Sequence, residues 1–294
     1  MTEVVDAGLG FLAELTEVST PMNTQMEKGR TFRALHARDQ AFVIPNPWDG
    51  GTARLLARLG FEALATTSAG YAFSVGVQDG AVDREAMMGH LTAVATASNL
   101  PVSADLGNGF GDSPETAAET IRLAAAAGVV GGSIEDATGR TDDPIYEIDR
   151  AVERIEAAVG AARGLPFTFT LTARAENYLH GRPDLKDTIK RLQLYQQAGA
   201  DVLYAPGLTS REDIATVLKS VDRPLNVLMG LPGMESEVAT LSAMGVRRVS
   251  VGSALCRAAF GAFLRAAREM RERGTFAFAE DAVKFKEISE LLKP

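Results

Sequence analysis

Asp105, Glu135 and Arg174 each close a short apolar run in this chain, and Asp136 and Glu176 follow within two residues. Carboxylate oxygens are hard ligands that suit Mg2+ or Mn2+. A guanidinium offers a planar fork of donors that matches a carboxylate. Acids and an arginine brought to one rim therefore describe a site for a divalent metal and a small carboxylate. Other polar or aromatic residues fall at equivalent positions: Asn46, Trp48 and Asp49; Thr66, Thr67 and Ser68; Asn108; Asn177; Tyr204; Asn226; and Ser253.

Each of these also has a structural reading. Asp105 and Glu135 could be hydrogen-bonded strand-end groups, and Arg174 a buried counter-ion for Glu135 or Glu176. Asp49, ahead of Gly50-Gly51, has the position of a helix cap, and Trp48 that of a packing residue at a barrel mouth. Ser253 reads as a helix N-cap or as part of a phosphate site. Cys256 reads as a packed helical thiol. His36, His90 and His180 share no metal-ligand spacing, which disfavours zinc, and His180 remains a candidate proton carrier.

The elements that must position these residues follow from the pattern of the chain. Strands are expected at Ala41–Asn46, Ala63–Ser68, Pro101–Leu106, Val129–Glu135, Phe167–Arg174, Asp201–Pro206, Leu225–Gly230 and Arg247–Gly252. Several are continuous apolar runs, as in parallel strands covered on both faces. Helix starts are signalled by Ser113-Pro114-Glu115, by Ser210 with Asp213, and by Asp83 with Glu85. Gly60, Gly128, Gly199 and Gly245 each end a helical stretch just before a strand. Strand and helix thus alternate eight times, which fits a closed (β/α)8 barrel better than an open sheet. No glycine-rich dinucleotide fingerprint follows the first strand. The expected organisation is an N-terminal arm over 1–28, a barrel over 29–257, and C-terminal helices over 258–294. Helices at Ala258–Arg273 and Glu280–Leu292 exceed what a barrel needs, so one is expected to pack on a partner or across the barrel end.

The composition, 46% apolar and 23% charged over 294 residues, is that of a soluble globular protein. A net charge of −8 without a Lys/Arg run argues against nucleic acid. No apolar run reaches the roughly 18 residues of a membrane span. One cysteine and an N-terminus without a basic region predict a cytoplasmic protein.

Six motifs in register carry a family resemblance: Asn46-Pro47-Trp48-Asp49, Ala65 to Gly70, Gly76-Val77-Gln78-Asp79, Ala104-Asp105, Ser133-Ile134-Glu135-Asp136 and Thr172-Ala173-Arg174. From about Gly29 onward the chain resembles the isocitrate lyase / phosphoenolpyruvate mutase superfamily. The resemblance implies a barrel enzyme that chelates a 2-oxo or 2-hydroxy carboxylate on Mg2+ (or Mn2+) and works through an enolate-like intermediate. It places Asp79, Asp105 and Glu135 around the metal. It gives Arg174, Glu135 and Asp79 catalytic parts. It assigns the substrate to Trp48, Thr67, Ser68, Ala69, Gly70, Tyr204 and Asn226. It also implies a homo-oligomer, dimer or tetramer, in which a C-terminal helix is exchanged.

Three departures narrow the reaction. The third strand ends Ser103-Ala104-Asp105 where the family often has Asp-x-Asp, and Gly107 stands where related sequences often carry a glutamate. The loop Ala137–Pro144 lacks the catalytic cysteine of the lyase branch. It also lacks the Lys and Asn of the mutase branch. The expectation is therefore a C–C lyase or decarboxylase resembling the oxaloacetate decarboxylase branch. The alternatives are a phosphonopyruvate-type P–C mutase or hydrolase, and a degenerate barrel that only binds a carboxylate. Tyr204, Tyr71 and His180 are the candidate proton donors.

Overall fold

In this computed structural model, residues 24–234 and 236–293 are described. Eight strands form one parallel sheet: β1 (Phe42–Ile44), β2 (Leu64–Ala65), β3 (Val102–Asp105), β4 (Gly131–Glu135), β5 (Thr170–Arg174), β6 (Val202–Tyr204), β7 (Leu225–Leu228) and β8 (Arg248–Ser250). Each lies within its expected run. The helices are α1 (Gln25–His36), α2 (Gly50–Arg58), α3 (Ser68–Ser74), α4 (Arg84–Thr96), α5 (Pro114–Ala126), α6 (Ile148–Arg163), α7 (Leu185–Gln197), α8 (Arg211–Ser220), α9 (Val238–Met244), α10 (Ala254–Arg273) and α11 (Phe285–Leu291).

The strand order β1-β8-β7-β6-β5-β4-β3-β2 runs right round a barrel. Its seam is closed by Ala65 N–H donating to Pro45 O at 3.0 Å and by Asn46 Nδ2 donating to Thr66 O at 2.9 Å. Asn46 Oδ1 accepts from Val251 N and Gly252 N, so this one side chain clasps the chain after β8 to the chain after β2.

The punctuation read from the sequence acts as expected. Ser113, Ser210 and Asp83 accept from backbone N–H groups in the first turns of α5, α8 and α4. Gly60, Gly128, Gly199 and Gly245 all have positive φ. At Gly128 the value is +100°, a left-handed turn between α5 and β4 that a side chain would strain.

The N-terminal end of the barrel is plugged by α1, whose Phe32 and Leu35 are fully buried against Phe42, Ile44 and Val130. The arm expected over residues 1–28 lies, up to residue 23, outside the described residues. Residues 25–28 are the first turn of α1, capped by Thr24. Lys28 Nζ there donates to Ala95 O and Ser98 O.

The C-terminal segment departs from expectation in one respect. A helix was expected from Glu280, but Ala277–Glu280 is a single 3-10 turn and α11 starts only at Phe285. Glu269 on α10 anchors that turn, its carboxylate accepting from Thr275 Oγ1, Ala277 N and Phe278 N. In this chain α11 rests on α2, with Arg58 Nη2 donating to Lys293 O at 2.8 Å.

Candidate active site

Parallel register sets the geometry of the rim. Glu135 lies opposite Arg174, Arg174 opposite Tyr204, and Tyr204 opposite Asn226. Glu135, Arg174 and Tyr204 are the last residues of their strands and stand at the C-terminal end at which barrel enzymes carry their chemistry, while Asn226 lies inside β7, below that end.

Arg174 is the hub. Its Nη1 bonds Asp105 Oδ1 at 2.8 Å, Nη2 bonds Glu135 Oε2 at 3.1 Å, and Nε bonds Glu176 Oε1 at 2.9 Å. Its guanidinium carbon stands 5.2 Å from the centre of the Tyr204 ring. Burial works against this charge, but Glu176, Glu135 and Asp105 together outweigh it and hold the guanidinium protonated. The expectation of Arg174 as a counter-ion is correct as far as it goes.

One cation facing three acids leaves negative charge in excess. Burial pushes the Glu135 and Glu176 carboxyls up, and Arg174 only partly offsets this. Asp79 stands exposed at the mouth. Its carboxyl is raised by partial desolvation and by the charge of Asp105. Asp105 Oδ2 accepts from Ser68 N at 3.0 Å and Ser68 Oγ at 2.9 Å, which ties the start of α3 to the end of β3.

A cavity of about 190 Å3 opens among these groups, smaller than a typical drug-sized pocket and suited to a small acid. Asp79, Asp105, Arg174, Tyr204 and Asn226 line it, together with Thr67, Ser68 and Ala69. Other expected residues stand apart from its wall. Glu135 and Glu176 grip the guanidinium without lining the cavity. Gly70 and Trp48 do not line it either: a Cβ on Gly70 would come within 2.5 Å of Thr67 Cγ2 and 3.3 Å of Trp48 Cβ, so this glycine permits close packing.

The backbone donors expected to cradle a carboxylate are partly committed. Ser68 N–H goes to Asp105, and Gly70 N–H goes to Thr67 Oγ1, the cap of α3. Asp49 caps α2 through Thr52, as its structural reading predicted. Ser253 occupies the N-cap position of α10 without a side-chain cap bond, and its Oγ accepts from Arg257 Nε. Cys256 is fully buried against Gly70 O. His180 is exposed, and Tyr71 stacks on His90 with ring centres 4.0 Å apart.

Asp136, one residue past Glu135, faces the helices. It accepts from Glu176 N, Arg191 and Tyr195 Oη, and so fixes the turn that carries Glu176. The loop after β4 is held by a bridge between Ala137 and Ile145 and by Arg140 paired with Asp112 and Asp143.

Sequence reasoning overlooked Arg248. It lies on β8 opposite Asn226, 5% exposed, and lines the floor of the cavity. The signal was present: in Arg247–Gly252 the alternate residues Arg248 and Ser250 share a face with Asn226 of the neighbouring strand, a polar row where a barrel usually holds aliphatic side chains.

An eight-stranded parallel barrel with an arginine and carboxylates at the C-terminal strand ends defines the architecture and site of a barrel enzyme. The chain belongs to the phosphoenolpyruvate phosphomutase family, whose model matches residues 32–271. It is similar to the crystal structure of a presumed lyase/mutase from Burkholderia cenocepacia J2315, at 64% identity and a TM-score of 0.90 over 92% of this chain and 97% of that one. It is 28% identical to an oxaloacetate decarboxylase of Pseudomonas savastanoi pv. phaseolicola, over 86% of this chain and 88% of the relative. It is 26% identical to an oxaloacetate acetylhydrolase solved with its product oxalate, with a TM-score of 0.80 over 90% and 93% of the two chains. The family is one of enzymes that includes lyases and mutases. Among the described residues no helix is long and apolar enough to cross a membrane.

Proposed function

We propose that this protein cleaves a C–C bond in a small 2-oxo or 2-hydroxy carboxylic acid through an enolate-like intermediate, with decarboxylation as the leading reaction. The observation that carries the reading is Arg174, a guanidinium fixed on the cavity wall by three carboxylates and backed by Tyr204. Breaking a bond next to a 2-oxo group leaves an electron pair that spreads onto the oxo oxygen. A fixed cation already aimed at that oxygen stabilises the developing charge without reorganising. Arg174 keeps one N–H, on Nη1, beyond those engaged by the acids, because a guanidinium has five.

The donor set fits Mg2+ or Mn2+. It is all oxygen, and its carboxylates outnumber the cation they surround. Among the described residues no three acidic, histidine or cysteine side chains converge closely enough to ligate one ion directly. Mg2+ commonly keeps several waters and takes only one or two carboxylates. Asp105 and Asp79 on the cavity wall would hold it, with Glu135 behind. When bound, the ion supplies a Lewis acid at the substrate's 2-oxo group.

A proton must then reach the carbon. Of the three candidates, Tyr204 alone lines the cavity. Burial pushes its hydroxyl up to about 12, so it holds its proton at neutral pH. Tyr204 is accordingly the proposed donor.

The parent protein should rise in melting temperature with Mg2+ plus oxalate, an enolate mimic, and should release CO2 from oxaloacetate. Arg174→Ala and Asp105→Ala should lose both responses. A parent that shows no shift with oxalate and metal would leave the degenerate carboxylate-binding reading in its place. The homo-oligomer reading is supported by exposed apolar side chains on and after α10, among them Phe263, Leu264, Phe276 and Phe285. Light scattering on the purified chain reads the oligomer directly.

A further inference from the structure

The floor of the cavity carries a charge that the rim chemistry leaves unused. Arg248 is 5% exposed, and its three nitrogens meet only neutral partners. Nε donates to Asn226 Oδ1 at 2.9 Å, Nη2 to Thr172 Oγ1 at 3.1 Å, and Nη1 to His36 Nε2 at 3.4 Å. The state of His36 follows from the chemistry of its neighbours. Its Nδ1 lies 2.8 Å from Phe32 O, which can only accept, and a guanidinium can only donate to Nε2. Burial and then the Arg248 charge hold this imidazole near a pKa of about 3, so it brings no second positive charge.

No acid pairs with Arg248 among the described residues. Burial first, and then the charge of Arg174, lower it to about 10. A buried cation without an anion is unfavourable in general, and two of its five N–H groups are uncommitted. The cavity descends to it past Ser103, Ser133 and Ser250, a polar wall where aliphatic packing is the rule. Rim and floor therefore differ in sign: acids exceed cations at the top, and a lone cation waits at the bottom.

We infer that the ligand of this cavity is a dicarboxylate bound end-on, its first carboxylate at the rim and its second seated on Arg248, beside Asn226 and Ser250, at the floor. This rests on the reading of the rim as a carboxylate site. The floor subsite selects against acids that end in a methyl group, which would leave the guanidinium desolvated and unpaired. The small volume of the cavity restricts the ligand to a short chain.

The test compares malate with 2-hydroxybutyrate, two four-carbon 2-hydroxy acids that differ in the second carboxylate. Both are titrated calorimetrically into the full chain with Mg2+, alongside oxalate as the rim probe. Malate is expected to bind on the order of 10- to 100-fold tighter, the scale of a charged hydrogen bond. That ratio should fall close to one in Arg248→Gln and partly return in Arg248→Lys. A ratio near one in the parent, with oxalate still binding, overturns the floor subsite and leaves the rim reading intact. A ratio that survives Arg248→Gln also overturns it. Failure of all three ligands to bind overturns the rim reading, and the floor inference with it. Should Arg248→Gln not fold, a crystal structure of the parent with malate decides. A carboxylate on Arg248 supports the inference, and both carboxylates at the rim overturn it.

Discussion

Arg174 and Asp105 come from strands two apart in the barrel, and their 2.8 Å bond spans the position of β4 between them. Asp105 is held from the other side by Ser68, so the arginine is aligned by an acid that is itself aligned. The guanidinium also meets Glu135 and Glu176, which makes removal of the cation and removal of an acid very different events.

Arg174→Ala leaves three acids in low-dielectric surroundings without that cation, at a cost of about 3–5 kcal/mol. Glu135→Gln keeps an oxygen that accepts from Arg174 and removes a charge that burial already disfavours. It should be neutral or stabilising, within about 1 kcal/mol. Urea denaturation of both variants without metal reads the asymmetry. Equal losses would mean that the charges around Arg174 are balanced.

His36 gives the barrel floor a pH dependence of known sign. Its folded pKa is depressed, chiefly by burial and then by Arg248, from 6.5 to about 3. The unfolded chain therefore takes up a proton that the folded chain refuses. Stability from this group is complete above about pH 6.5 and drains away as pH falls towards 3, by on the order of 2–4 kcal/mol. The measurement is the difference in unfolding free energy between the parent and His36→Gln from pH 7 to 4. A constant difference would show that His36 titrates normally in the fold.

Tyr204→Phe keeps the ring under Arg174 and deletes only the hydroxyl. With the tyrosine as proton donor, turnover of oxaloacetate should fall on the order of 100-fold, with the loss in kcat and little change in KM. A fall confined to KM would make Tyr204 a binding residue and return the proton donor to the solvent.

The eight strands were legible because each is a local run bounded by turn chemistry, and Gly128 or Ser113 acts on its own few neighbours. The rim was legible for a related reason. Asp105, Glu135 and Arg174 are last residues of strands, so each reaches the C-terminal end of the barrel, and register sets Glu135 directly opposite Arg174. What escaped depends on distant partners. The bond between Arg248 and His36 joins residues 212 apart, and nothing near either position announces it. Glu269 anchors the 3-10 turn before the last helix by bonding Ala277 and Phe278, residues beyond its own helix end. Trp48 has the composition of a binding wall, but it is not among the residues that line the cavity.

Ser103 offers a gain rather than a loss. It is 4% exposed, lines the cavity, and sits two residues before Asp105 on the same face of β3, at the place where the family resemblance leads one to expect an acid. Ser103→Asp adds a carboxylate to a cluster already short of positive charge. Without metal, repulsion and desolvation should destabilise the variant by on the order of 1–3 kcal/mol. With Mg2+ the same carboxylate becomes a direct ligand, so metal affinity should rise on the order of tenfold or more. The melting temperature should then fall below the parent in EDTA and recover with millimolar Mg2+, by a larger step than the parent shows. A variant destabilised equally with and without the ion would mean that β3 does not face the metal, and that the ion, if it binds, is held from the Asp79 side of the mouth.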